Sequence, residues 1–250
     1  MKRNQNVIKK FQANVNRVTT AHQKAKLTNT ELLFFIASDP AVSTTTLEML
    51  CETTDYGIRS AVAVNPRASL PTLEWLCNDT NIKVRCSVAE NVNAPAYVLE
   101  RLSNDKDYNV KYAVVCHSNT PEQALRVLSK DEDENILVAV AKHPRCPLEV
   151  LQTLLKKDEV RIKSALACNP NIPLDMLKTL NESTNLCVKL NIINNANTPK
   201  EILEKLCKDH SSNKVRKNAK EKLEKYNKRV QKSNVIKQIV RKFVNLIVNK

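Results

Sequence analysis

The sequence predicts an all-α solenoid of seven to eight 26-residue two-helix repeats with helical caps. Three observations carry that prediction. First, a segment typified by Ile162–Leu180, IKSALACNPNIPLDMLKTL, recurs every 26 residues. Its copies begin at Leu32, Ile58, Val84, Val110, Ile136, Ile162 and Val188, with a degraded eighth at Val215. Second, positions 16 and 19 of the unit are Leu in all seven full copies, from Leu47 and Leu50 to Leu203 and Leu206, and position 5 is always aliphatic. Third, all ten prolines fall at positions 9, 12 or 14. A fixed period in the 20–50 residue range marks a repeat array, in which neighbours supply the core that one unit cannot build alone.

The array accounts for residues 32–213 as one elongated body, with a basic segment at each end. Aromatic residues make up 4% of the chain and Gly57 is its only glycine. Leu, Val, Ile and Ala must therefore fill the core, and Asn and Pro must make the turns, which suits short helices better than strands.

In residues 1–31, Val7, Ile8, Phe11, Val15 and Val18 recur at helical spacing, which predicts an amphipathic helix that caps the first repeat. Within each unit a first helix is expected over positions 1–7, with positions 1, 4 and 5 inward. It ends before the proline of Asn65-Pro66, His143-Pro144 or Asn169-Pro170, because the residue preceding proline avoids helical geometry. A second helix is expected from about position 12 to 21. Pro95, Pro121, Pro147, Pro173 and Pro199 suit its first turn, and Thr120 and Thr198 are candidate N-caps. At the C-terminus, Val215–Lys232 reads as a basic helix, followed by a second amphipathic helix placing Val235, Ile236, Ile239, Val240, Phe243 and Ile247 together. Residues 214–250 thus form basic helices that cap the array, lie on an anionic membrane surface, contact phosphates, or dock with another chain.

The unit resembles the variant leucine-rich repeat family, related in kind to HEAT and armadillo stacks. VRCSVAENVNAPAYVLERL and IKSALACNPNIPLDMLKTL carry the resemblance, which extends over about residues 32–213. It implies short α- and 3₁₀-type helices wound into a right-handed superhelix, and it brings no catalytic residues. Some relatives hold an iron–sulfur cluster ahead of their repeats. This chain has no cysteine before Cys51, so no cofactor is expected.

The formal net charge of +14 belongs to the ends. Residues 214–250 carry thirteen Lys and Arg against Glu221 and Glu224, and residues 1–31 carry seven against Glu31, whereas residues 32–213 are slightly acidic. The candidate polyanion contacts are accordingly Lys228, Arg229, Lys232, Lys237, Arg241 and Lys242. A second set lies at position 2 of the repeats: Arg59, Arg85, Lys111, Lys163, Lys189 and Arg216, with Leu33 and Leu137 as exceptions. Stacked, these form either a phosphate-binding stripe or a ladder of ion pairs with acidic residues just upstream, such as Asp79 before Arg85. Trp75 sits at the variable position 18 and is a candidate protein contact.

Other chemistries find little support. The eight cysteines form no CxxC pair and read as small buried thiols of a reducing compartment. His117 and His143 share position 8 with Asn65, Asn91, Asn169 and Asn195, where a polar side chain satisfying backbone groups is expected. No metal-ligand spacing, phosphate-binding glycine loop or nucleophile elbow is present. The N-terminus lacks the apolar core of a secretion signal and no run is long enough to span a membrane, so a cytoplasmic location is expected. The resulting reading is a non-enzymatic scaffold whose basic ends engage a polyanion, with nucleic acid first. The alternative is a protein-binding solenoid whose ends are caps only, and a helical-repeat DNA glycosylase is a distant third.

Overall fold

The computed structural model describes the backbone of residues 28–248 and side chains up to residue 232, with those of residues 236 and 237. The N-terminal amphipathic segment predicted around Val7–Val18 lies outside the described residues. Among those residues the fold is all-α and consists of fifteen helices. They run as pairs, a longer first helix and a shorter second one. The first helices are α1 (Asn29–Ser38), α3 (Tyr56–Val64), α5 (Ile82–Glu90), α7 (Tyr108–Cys116), α9 (Glu134–Lys142), α11 (Val160–Cys168) and α13 (Leu186–Asn194). The second helices are α2 (Thr44–Leu50), α4 (Leu70–Leu76), α6 (Ala96–Leu102), α8 (Glu122–Leu128), α10 (Leu148–Leu155), α12 (Leu174–Leu180) and α14 (Lys200–Leu206), and the chain ends in α15 (Asn213–Val248).

Contacts divide the chain into two units, Met1–Pro147 and Leu148–Lys250. In the first, successive first helices α1, α3, α5, α7 and α9 stack on one another. In the second, α11, α13 and α15 do the same, and α14 packs on α15. This is a helical-repeat arrangement in each.

Helices of seven to nine residues are too short to persist alone, so packing must hold them. The leucines at positions 16 and 19 supply much of it: none is more than 4% exposed, and each contributes roughly 2 kcal/mol of burial. Positions 1 and 5 are buried as predicted, in Ile58 and Val62 or Val84 and Val88. Position 6 joins them: Ala37, Ala63, Ala89, Val115, Ala141, Ala167 and Ile193 are all buried. Small residues dominate there because this side of each first helix lies against its neighbour in the stack.

Capping differs from expectation in one respect. Five of the seven first helices (α3, α5, α7, α9 and α13) start at an Asp or Asn whose side chain accepts from the backbone N–H two residues on, as Asp107 does from Asn109 at 2.8 Å, whereas α1 is capped by Thr28 and α11 follows Glu159 with no side-chain cap. Four second helices (α6, α8, α12 and α14) start at Pro95, Pro121, Pro173 or Pro199 in the N-cap position itself, with no side-chain cap, whereas α2 and α4 are capped by Ser43 and Ser69. Thr120 and Thr198, predicted as N-caps, instead point back. The Thr120 hydroxyl bonds the carbonyls of Val114 and His117, and that of Thr198 bonds Ile192 O. They finish the preceding helix, which frees the turn to pass into proline.

The C-terminal region is also not two helices. Asn213–Val248 is one helix, about 54 Å long at 1.5 Å per residue. Ser233 and Asn234 have low helix propensity but are no barrier to helical geometry. Its first turns bury Val215 and Ala219 completely, closing the last repeat. Residues 224–232 are then exposed without exception, so more than two full turns rest on nothing.

Candidate functional site: a paired ladder and a free basic helix

The position-2 cations are placed by the first helices and are engaged by aspartates. Arg59 Nε donates to Asp79 Oδ2 at 2.6 Å and Nη2 donates to Oδ1 at 3.0 Å, while Nη1 reaches the carbonyls of Thr53 and Thr54. Arg85 repeats the arrangement with Asp105, at 2.6 and 3.1 Å, and with the carbonyls of Asp79 and Thr80. Lys111 pairs with Asp131 and Lys189 with Asp209, both at 2.5 Å. The partner is therefore the aspartate twenty residues downstream, in the turn that ends the same unit, and not the upstream carboxylate. The upstream aspartate lends Arg85 its backbone carbonyl, and Asp107 is a helix cap.

The rest of the set varies. Lys163 turns to the exposed Asp158, the one non-glycine residue of positive φ among the described residues. Arg216 bonds Asp209 O and Asn213 Oδ1. Burial would raise the Asp79 carboxyl, but hydrogen bonds from Arg59 and the Asn81 N–H, with the charges of Arg59 and Arg85, hold it below its ordinary value. Hydrogen bonds from Lys189 and Ser211 hold Asp209 lower still. Guanidinium groups whose donors are already occupied have little to offer a phosphate.

A second ladder runs beside the first. Asn91, fully buried, donates through Nδ2 to the carbonyls of Ala63 and Asn65 in the preceding repeat, at 2.6 and 2.8 Å. Its Oδ1 accepts from the Asn93 N–H. Asn65 and Asn195 make the same three bonds. His117 and His143 substitute for Asn: Nδ1 accepts from the N–H two residues on, and Nε2 lies 3.0 and 3.2 Å from the carbonyls of Asn91 and His117. This geometry requires the neutral imidazole with its proton on Nε2. Burial pushes His143 below its ordinary value, opposed by the bond to the His117 carbonyl and aided by the charge of Arg145.

A pH prediction arises here. Because the folded His143 resists protonation, the unfolded chain takes the proton first as pH falls through about 6.5. Stability is present above that pH and declines below it, by up to about 1.4 kcal/mol per unit until the folded group titrates. Urea midpoints measured from pH 7.5 to 5 should fall for the native chain and fall less for His143→Asn, which keeps the ladder without the titrating group.

The free cations lie on α15. Lys228, Arg229, Lys232 and Lys237 are exposed and, among the described residues, form no ion pair, while the side chains of Arg241 and Lys242 lie outside those residues. Lys225, Lys228, Arg229 and Lys232 fall at i, i+3, i+4 and i+7, one stripe of the helix. Trp75 is 55% exposed, as position 18 predicts, beside a recess lined by Arg59, Asn78 and Thr80. Cys51, Cys77 and Cys146 are buried, but Cys116, Cys168 and Cys187 are exposed, against the expectation of buried thiols, because they lie on the outward side of the first helices. Among the described residues no three His, Cys, Asp or Glu converge as a metal site would need, and no helix is long and apolar enough to cross a membrane.

Two-helix units stacked through buried leucines and a backbone-directed Asn ladder define a helical-repeat protein. A solved structure described as a leucine-rich repeat variant with a novel repetitive protein structural motif is similar to this chain over 78% of its length and 82% of its own, at 27% identity and a TM-score of 0.54. The chain is thus a helical-repeat protein whose fold is similar to that of a leucine-rich repeat variant. No family model and no curated protein matches it.

Proposed function

We propose that the protein is a non-enzymatic repeat scaffold that engages a polyanion, nucleic acid first, through its C-terminal helix. One observation carries this reading: the position-2 cations of the repeats are largely committed to carboxylates, whereas the stripe Lys225–Lys228–Arg229–Lys232 stands on helix exposed on every side. Such a stripe neutralises phosphates without reading bases, and binding releases counterions.

The test is fluorescence anisotropy of a labelled DNA duplex across a salt series. The full chain should bind with a log–log salt slope of about 4 for four phosphate contacts. Lys228→Glu/Arg229→Glu/Lys232→Glu and a chain ending at residue 213 should bind at least about a hundredfold more weakly, whereas Arg59→Gln should bind as the native chain does. Equal binding by the triple variant would remove α15 from the site. Binding to anionic vesicles in place of DNA would move the same helix to a membrane surface.

A second reading, a protein-binding surface on the repeats, is favoured by apolar residues left exposed along the first helices: Tyr56, Ile82, Tyr108, Val160 and Leu186 all occupy repeat position 25.

A further inference from the structure

Between α5 and α7 the outward face opens into a groove of about 580 Å³. Its floor is small, Ala89 and Ala113 with Cys86, and one wall is the ring of Tyr112. That ring is steadied by stacking on Tyr108, with centroids 5.7 Å apart and planes 23° off parallel, and Cys116 lines the groove beside it. At the rim stands Glu90, exposed and, among the described residues, in no ion pair.

We infer that this groove binds an arginine side chain presented by a partner polypeptide. The stem would lie on the alanine floor, and the planar guanidinium would lie against the Tyr112 ring with its donors directed at Glu90. The match is one of charge and shape. A guanidinium stacks on an aromatic face and forks to a carboxylate at once, which a lysine ammonium does less well. The local field agrees. The Cys86 thiol is pushed up to about 11, by burial first and then by the negative charges of Asp107 and Glu90 against the opposing Arg85. Arg85 is already spoken for by Asp105, so the groove keeps a negative surplus within a chain whose net charge is +14. The same arrangement is absent one repeat earlier, where Ser60 stands in place of Cys86 and its hydroxyl closes on Ser87 at 2.6 Å. This inference stands on the repeats alone and is independent of polyanion binding by α15.

The experiment is a ¹H–¹⁵N NMR titration of the full chain with the peptide acetyl-Gly-Ser-Arg-Ser-Gly-amide and with its citrulline counterpart, which keeps the shape and loses the charge. The arginine peptide should shift amides of residues 86–92 and 109–118, and the citrulline peptide should bind about fivefold or more weaker. Glu90→Gln and Tyr112→Leu should each weaken the arginine peptide by a similar factor, and Tyr112→Phe should retain it. Equal binding of the citrulline peptide, shifts confined to other surfaces, or unchanged binding by Glu90→Gln would each overturn the assignment. DNA binding by α15 should be the same in all these variants, so failure of one site is distinguishable from failure of the other.

Discussion

Asn91→Ala should destabilise the protein by about 4 kcal/mol, read as a lowered midpoint in urea unfolding followed by circular dichroism. The side chain is completely buried and makes three bonds, two to carbonyls of the preceding repeat and one from its own turn. Truncation takes the partner from the buried Ala63 carbonyl and from the Asn93 N–H, while the Asn65 carbonyl keeps the Ala68 N–H, and each orphaned group costs roughly 1–3 kcal/mol. Asn91→His is the informative companion. The array itself places His117 and His143 at this position, where the ring keeps the turn bond and one of the two carbonyl bonds. That variant should lose only about 1 kcal/mol. A cost for Asn91→Ala no larger than that for Asn91→His would show that the ladder is incidental to stability.

The second large effect concerns the Arg85–Asp105 pair, whose side chains are 9% and 10% exposed. Asp105→Ala should cost about 3–4 kcal/mol, because it strands a guanidinium in a poorly solvated site and removes the acceptor of the Asp107 N–H. Arg85→Leu/Asp105→Ala should be far milder, within about 1 kcal/mol of the native chain, since a buried ion pair often does no better than apolar packing. The array contains this replacement already: Leu137 occupies the same position, buried at 3% exposure, and twenty residues on stands Lys157 where the paired repeats have Asp. Thermal unfolding of the two single variants and the double variant gives the coupling directly. A double variant as unstable as Asp105→Ala alone would refute the argument.

That correlation also shows how much was legible in the sequence. The period, the leucines and the prolines fixed the helix pairs because each residue type acts through local geometry or burial, which a pattern exposes. The partner of each position-2 cation was legible too, though in a less obvious form. Arg59, Arg85, Lys111 and Lys189 each have an Asp twenty residues later, whereas Leu33, Leu137 and Lys163 have Thr53, Lys157 and Ser183. Looking for the nearest acidic neighbour along the chain hides this, because the stack brings the end of one unit beside its own beginning. Position 8 was recognised as a turn that needs a polar side chain. That its amide reaches into the preceding repeat depends on the offset between units, which no single copy contains. The continuity of α15 was missed because apolar faces change phase near Ser233, and a change of phase looks like a break when no neighbour is there to define a face. The groove beside Tyr112 rests on small residues in two adjacent copies and has no signature in either alone.

The bonds that Asn65, Asn91 and Asn195 send into the preceding unit all end on main-chain carbonyls. This part of the joint is therefore indifferent to the side chains of whatever unit comes before. A copy can be duplicated, deleted or exchanged in whole multiples of 26 residues and still find its acceptors, while its outward positions drift without penalty. Such a chain can lengthen by genetic slippage and acquire new surfaces afterwards, the joint having been compatible from the start.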